Sequence, residues 1–157
     1  MKIYALCDID TLRVSDVYKI NFENCVNYVY KQSEVGAKGV VLVGKQRSFL
    51  LDLFQYLADK LDVPLFIYAK GAFLPENPSL KSNDTFTSFK QFETNKDIDI
   101  FLIKNKDILR HFSSEKSYLP ELISVITAAA FKKGVRILIT EETQSAVKAL
   151  SVIKKLF

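Results

Sequence analysis

The chain is poor in the residues that mark the commonest catalytic and metal centres. Among 157 residues it has one histidine (His111), two cysteines, one methionine and no tryptophan. A single histidine leaves no multi-histidine metal centre and argues against a histidine-based nucleophilic triad. Cys7 and Cys25 stand apart, without metal-ligand spacing, and read as small buried hydrophobes of a reducing compartment. Five glycines and four prolines form neither a low-complexity linker nor a G-x-G-x-x-G or Walker-type phosphate loop. No apolar stretch approaches the length of a membrane span. The opening Met1-Lys2-Ile3-Tyr4 enters a strand run at once, without the charged leader and apolar core of a signal peptide. The expectation is a cytoplasmic protein. Basic residues exceed acidic ones by 22 to 18, a dispersed net charge of +4. With no basic run and no aromatic RNA-binding motif, nucleic acid is not an expected partner.

What the chain does have is five short apolar runs, Ile3–Cys7, Val40–Val43, Leu65–Ala69, Ile98–Ile103 and Val135–Ile139. Continuous apolar runs of this length read as parallel strands buried on both faces. Between them lie helical patterns. Phe22, Cys25, Val26 and Val29 follow a plausible cap at Asn21, and that helix closes near Gly36. A second helix starts at Arg47-Ser48 with Leu50, Leu53, Phe54, Leu57 and Leu61 in its stripe. A helix over about Leu119–Lys132 and another capped by Thr140, with Glu141 and Glu142 near its N-terminal dipole, complete the set. Residues 70–97 carry Pro75, Pro78 and the polar cluster Ser79, Ser82, Asn83 and Asp84, so they are expected to be mostly loop. Phe86, Phe89 and Phe92 predict one short helix within that loop. The alternation predicts a single α/β domain over residues 1–157, a five-stranded parallel sheet with helices on both faces (flavodoxin- or Rossmann-like). The alternative is a shortened (βα) barrel relative, since a closed eight-stranded barrel needs at least about 200 residues.

Ligands of open parallel sheets bind outside the carboxyl ends of the strands. Those ends carry Asp8 and Asp10, then Gly44-Lys45-Gln46-Arg47-Ser48, then Lys70-Gly71, then Lys104-Asn105-Lys106. Lysine and arginine offset phosphate charge, and carboxylate oxygens hold a hard cation. The expected site therefore places Gly44, Lys45, Arg47, Ser48, Lys70 and Lys104 on phosphate, and Asp8 and Asp10 on a magnesium ion. The Gly44 turn, leading into a helix, supplies backbone amides for the anion. The competing reading is a non-catalytic adaptor that uses Tyr28, Tyr30, Phe73, Phe86, Phe89 and Phe92 as an aromatic surface patch.

Asp8-Ile9-Asp10-Thr11-Leu12 approaches the D-x-D-x-T-L of haloacid dehalogenase-type phosphatases but is one residue short, which turns the threonine away. A closer likeness runs over about residues 2–70. Lys2-Ile3-Tyr4-Ala5-Leu6-Cys7-Asp8, Gly39-Val40-Val41-Leu42-Val43-Gly44-Lys45 and Val63-Pro64-Leu65-Phe66-Ile67-Tyr68 resemble the first three strands of thiamine-phosphate synthase and its TenI-type relatives. The resemblance implies a diphosphate-holding role for Lys45. Val41 and Val43 stand where that family has glutamine and arginine, and Tyr68 and Ala69 where it has asparagine and its magnesium-binding aspartate. What it implies is a shortened relative with incomplete transferase machinery, binding a phosphorylated small molecule.

Overall fold

The structure is a computed structural model that describes residues 1–81 and 85–157; Ser82, Asn83 and Asp84 of the expected loop cluster lie outside the described residues. The chain runs β1 (Lys2–Asp8), α1 (Ile9–Leu12), α2 (Tyr18–Glu34), β2 (Val40–Val43), α3 (Arg47–Leu57), β3 (Leu65–Ala69), β4 (Ala72–Leu74), β5 (Thr85–Phe86), α4 (Phe89–Thr94), β6 (Ile100–Ile103), α5 (Asn105–His111), α6 (Leu119–Lys132), β7 (Ile137–Thr140) and α7 (Thr143–Leu156). Among the described residues the strands form one seven-stranded sheet in the order β4-β3-β2-β1-β7-β6-β5. All neighbours are parallel except β4, which returns antiparallel along β3.

This order decides where the helices go. The crossovers β1 to β2, β2 to β3 and β6 to β7 all step the same way across the sheet. Right-handed crossovers then set their helices on one face. The packing follows. Ile3, Phe101, Ile103 and Leu138 bury against Ile108, Ile123, Ile126, Ala146 and Leu150 of α5, α6 and α7. Ala5, Cys7, Leu42 and Ile67 bury against Cys25, Val29, Leu50 and Leu53 of α2 and α3. The alternate residues of the same strands, among them Tyr4, Leu6, Val41, Val43, Phe66, Ile100, Leu102, Ile137 and Ile139, form a separate cluster. Into it the rest of the described chain inserts Phe73 of β4 and Leu80, and no helical residue. Leu6, Ile100 and Ile139 are nevertheless fully buried. Side chains from β3 on one side and β6 on the other shield one another because the sheet curls into a half-barrel.

The five-stranded sheet with helices on both faces is thereby corrected. Helices on both faces need a reversal of stepping direction. Here the long connection from β3 carries the chain to the far edge, and β6 and β7 step back towards β1. The shortened-barrel alternative is the nearer description. The aromatic surface patch is corrected as well: Phe73, Phe89 and Phe92 are 3%, 8% and 7% exposed, and Tyr28, Tyr30 and Phe86 are half-buried. Phe92 stacks on Phe101 at 4.6 Å between ring centres, and Phe89 stacks on His111 at 4.2 Å. Burial of side chains this size contributes roughly 1.5–3 kcal/mol each, which favours core over surface. Phe86 lies on β5 rather than on the short helix.

Two local details differ from the pattern. Asn21 is not a cap but lies inside α2, buried, with Oδ1 accepting from the Ser15 N–H at 3.0 Å and Nδ2 donating to the Ser15 carbonyl at 2.6 Å. It satisfies both main-chain groups of a residue in the α1–α2 connection. The last helix begins at Thr143, after Glu142, while Thr140 ends β7 and its Oγ1 accepts from the Glu142 N–H at 3.2 Å.

Candidate functional site

The carboxyl ends of the parallel strands open into a cavity of about 790 Å³. Residues from both sides of the curled sheet line it: Tyr68, Lys70 and Leu74 from β3 and β4, Thr87, Leu102 and Lys104 from the β5–β6 side. Leu50, Ile67, Leu74 and Leu102 give it apolar walls. Tyr68 faces Phe73 at 4.8 Å between ring centres, and burial raises its hydroxyl above the usual tyrosine range. Of the residues expected at the site, Asp8, Asp10, Gly44, Lys45, Arg47, Lys70 and Lys104 all line this cavity. Ser48 is exposed on the first turn of α3 and is not among the lining residues.

One backbone amide of the Gly44 turn, that of Lys45, already holds a carboxylate of the chain. Both Asp10 oxygens lie 3.1 Å from the Lys45 N–H. Gly44 makes that approach tolerable, since a Cβ there would stand 3.3 Å from Asp10 Oδ1. On the opposite side, Glu141 Oε2 accepts from the Asn105 N–H at the start of α5, at 2.6 Å. Glu142 accepts from the Asn105 side chain at 3.1 Å. Carboxylates favour helix starts because those N–H groups lack intrahelical acceptors. Burial raises the Glu141 carboxyl, the Asn105 N–H opposes that rise, and the neighbouring Asp8 charge adds to it.

Asp8 is the cap of α1, accepting from the Asp10 N–H at 3.2 Å. A magnesium ion would compete with these N–H donors for the Asp8 and Asp10 oxygens. Among the described residues no group of three or more acidic, histidine or cysteine side chains gathers as a metal site.

The side-chain cations remain. Lys45, Arg47, Lys70, Lys104 and Lys106 line the cavity, and among the described residues none of them is ion-paired; Arg110 is paired with Asp107 at 2.8 Å. Lys106, Asp107 and Arg110 were not among the site residues expected from sequence because α5 shows no apolar period, having one buried residue, Ile108. Its signals are electrostatic: Asp107 in the first turn, Arg110 and His111 in the last, and the i,i+3 pair between them.

The arrangement defines a class: a curled, mainly parallel α/β sheet with one cavity at its strand ends, lined by cations over apolar walls. No family model and no curated protein matches the chain. Solved structures do. Dihydropteroate synthase from Clostridium difficile, in the presence of pteroic acid, superposes with a TM-score of 0.72 at 10% identity, covering 100% of this chain and 97% of that one. The Xanthomonas albilineans dihydropteroate synthase with 4-aminobenzoic acid gives 0.70 at 8% identity, over 99% of this chain and 92% of that one. The Yersinia pestis enzyme with a pterine-sulfa conjugate gives 0.68 at 8%, over 99% and 92%. At such identities the likeness is one of fold.

These neighbours overturn the likeness to thiamine-phosphate synthase, and with it the shortened synthase binding a phosphorylated molecule. The strand segments that carried that likeness are those any curled parallel sheet needs. Val41 and Val43 are interior packing residues beside Leu6 and Phe66. At the Gly44-Lys45 turn, Asp10 takes the Lys45 N–H.

Proposed function

We propose that the strand-end cavity binds a small organic anion with an apolar or aromatic body, its charge met by Lys45, Arg47, Lys70 and Lys104. The observation that carries this reading is the convergence of side-chain cations, unpaired among the described residues, on apolar walls, while one amide on each side, Lys45 and Asn105, is held by Asp10 and Glu141. A carboxylate asks for charge-assisted donors of this kind, whereas a compact tetrahedral anion would compete for the amide cradle. The cavity also lies within the 300–1,000 Å³ range of small-molecule sites. Pteroic acid and 4-aminobenzoic acid, present in the neighbours' structures, are carboxylic acids with flat aromatic bodies. They make suitable probes.

The test is calorimetric titration with benzoate, 4-aminobenzoate, pteroate, benzamide and inorganic phosphate, each with and without magnesium. Binding of a carboxylate but not of benzamide, abolished in Lys104→Glu with the fold intact, supports the reading. Equal binding of benzamide, or a silent panel on folded protein, overturns it.

A further inference from the structure

We infer that Lys70 determines the charge specificity of the cavity, and that the chain holds it in an unfavourable backbone conformation to put its ammonium there. This rests on the reading of the cavity as an anion site. β3 and β4 are joined by a two-residue turn, Lys70-Gly71, with Ala69 and Ala72 as the last pair before it. Both turn residues have positive φ, 51° for Lys70 and 78° for Gly71. A hairpin this short takes such a turn because its twist matches the strands, and it favours asparagine, aspartate or glycine at the first position. The second position has its glycine. The first has a lysine, whose Cβ crowds the backbone there.

The hairpin explains the left-handed φ but not the residue. Ser113, the other non-glycine with positive φ, closes α5, where helix ends ordinarily place such a residue. Lys70 closes no helix, and among the described residues it has no ion-pair partner and no side-chain hydrogen bond. It does line the cavity, directly after Tyr68 and Ala69. Strain held at a ligand-facing residue links an observed outlier to function. A lysine at this turn brings a cation to the cavity, as a more favourable asparagine would not.

The inference requires stability and affinity to move in opposite directions. Lys70→Asn is expected to raise the melting temperature by about 2–4 °C, the shift that relief of one unfavourable backbone conformation gives in a chain of this size. The same variant should bind the tightest carboxylate probe of the panel about 10–100-fold more weakly, the loss expected for a charge-assisted hydrogen bond. Lys70→Arg, equally strained and still charged, should keep affinity within a few-fold. Melting curves and titrations on the three proteins decide it. Wild-type binding with undiminished affinity in Lys70→Asn overturns the Lys70 inference and leaves the cavity reading standing. No binding by the wild type overturns both. Unchanged or lowered stability in Lys70→Asn removes the strain argument and with it the inference.

Discussion

The Asp10 carboxylate receives the Lys45 backbone N–H with both oxygens at 3.1 Å, so the turn after β2 is supplied with an anion by the turn after β1. β1 and β2 are paired neighbours, with Asp8 opposite Val43, which brings the two turns together. The contact ties the mouth of the cavity across two strands.

Removing that carboxylate should expose the amide. Asp10→Ala is expected to lower stability by about 1 kcal/mol, the usual worth of a hydrogen bond of this type, and to create a phosphate response the wild type lacks. Melting curves in phosphate and in a zwitterionic buffer would show it; a wild type already stabilised by phosphate would refute the idea that Asp10 takes the place of an anion at this amide.

Glu141 gives the fold a pH dependence. Burial raises its carboxyl above the ordinary value of 4.5, so between that value and the raised one the folded chain holds the proton more firmly than the unfolded chain. Stability from this group is therefore full below the ordinary value and lost as pH rises through the raised one. Glu141→Gln keeps an acceptor for the Asn105 N–H without the charge. Urea unfolding at pH 5 and pH 8 should show the variant gaining on the wild type at the higher pH.

Gly39 has no room for a side chain. A Cβ there would stand 2.7 Å from the Tyr4 ring, which is packed between strands and stacked on Phe66. Gly39→Ala should cost about 1–3 kcal/mol through the displaced ring, measured as a lower urea midpoint with unchanged slope.

Phe92 belongs to the core, not to an interface. Phe92→Ala should cost about 3–5 kcal/mol. The mass in solution, read by light scattering under folding conditions, should stay that of the wild type; dissociation of an oligomer would restore the surface-patch reading.

The strands were legible in the sequence because a parallel strand buried on both faces is a continuous apolar run. Leu65–Ala69 and Val40–Val43 form as read. Helix α6 also forms over the stretch its period indicates. Strand order was not legible, because Ile3, Ala5 and Cys7 look alike to a helical layer and to a barrel interior. It is the pairing of β7 with β1 that sets the helices on one side. At the site, the strand-end cations were readable one by one. That Asp10 and Glu141 would take the amides was not, since those contacts join residues 35 and 36 positions apart.

The same pairing shapes how the chain reaches its native state. Lys2 lies opposite Ile137, so the sheet's middle seam joins its first strand to its last. At a synthesis rate of about 5–20 residues per second, one edge of β1 waits roughly 7–27 s for its partner. Through that interval Ile3 and Ala5 sit beside an open row of N–H and C=O groups. Such long-range closure slows folding and leaves a sticky edge exposed.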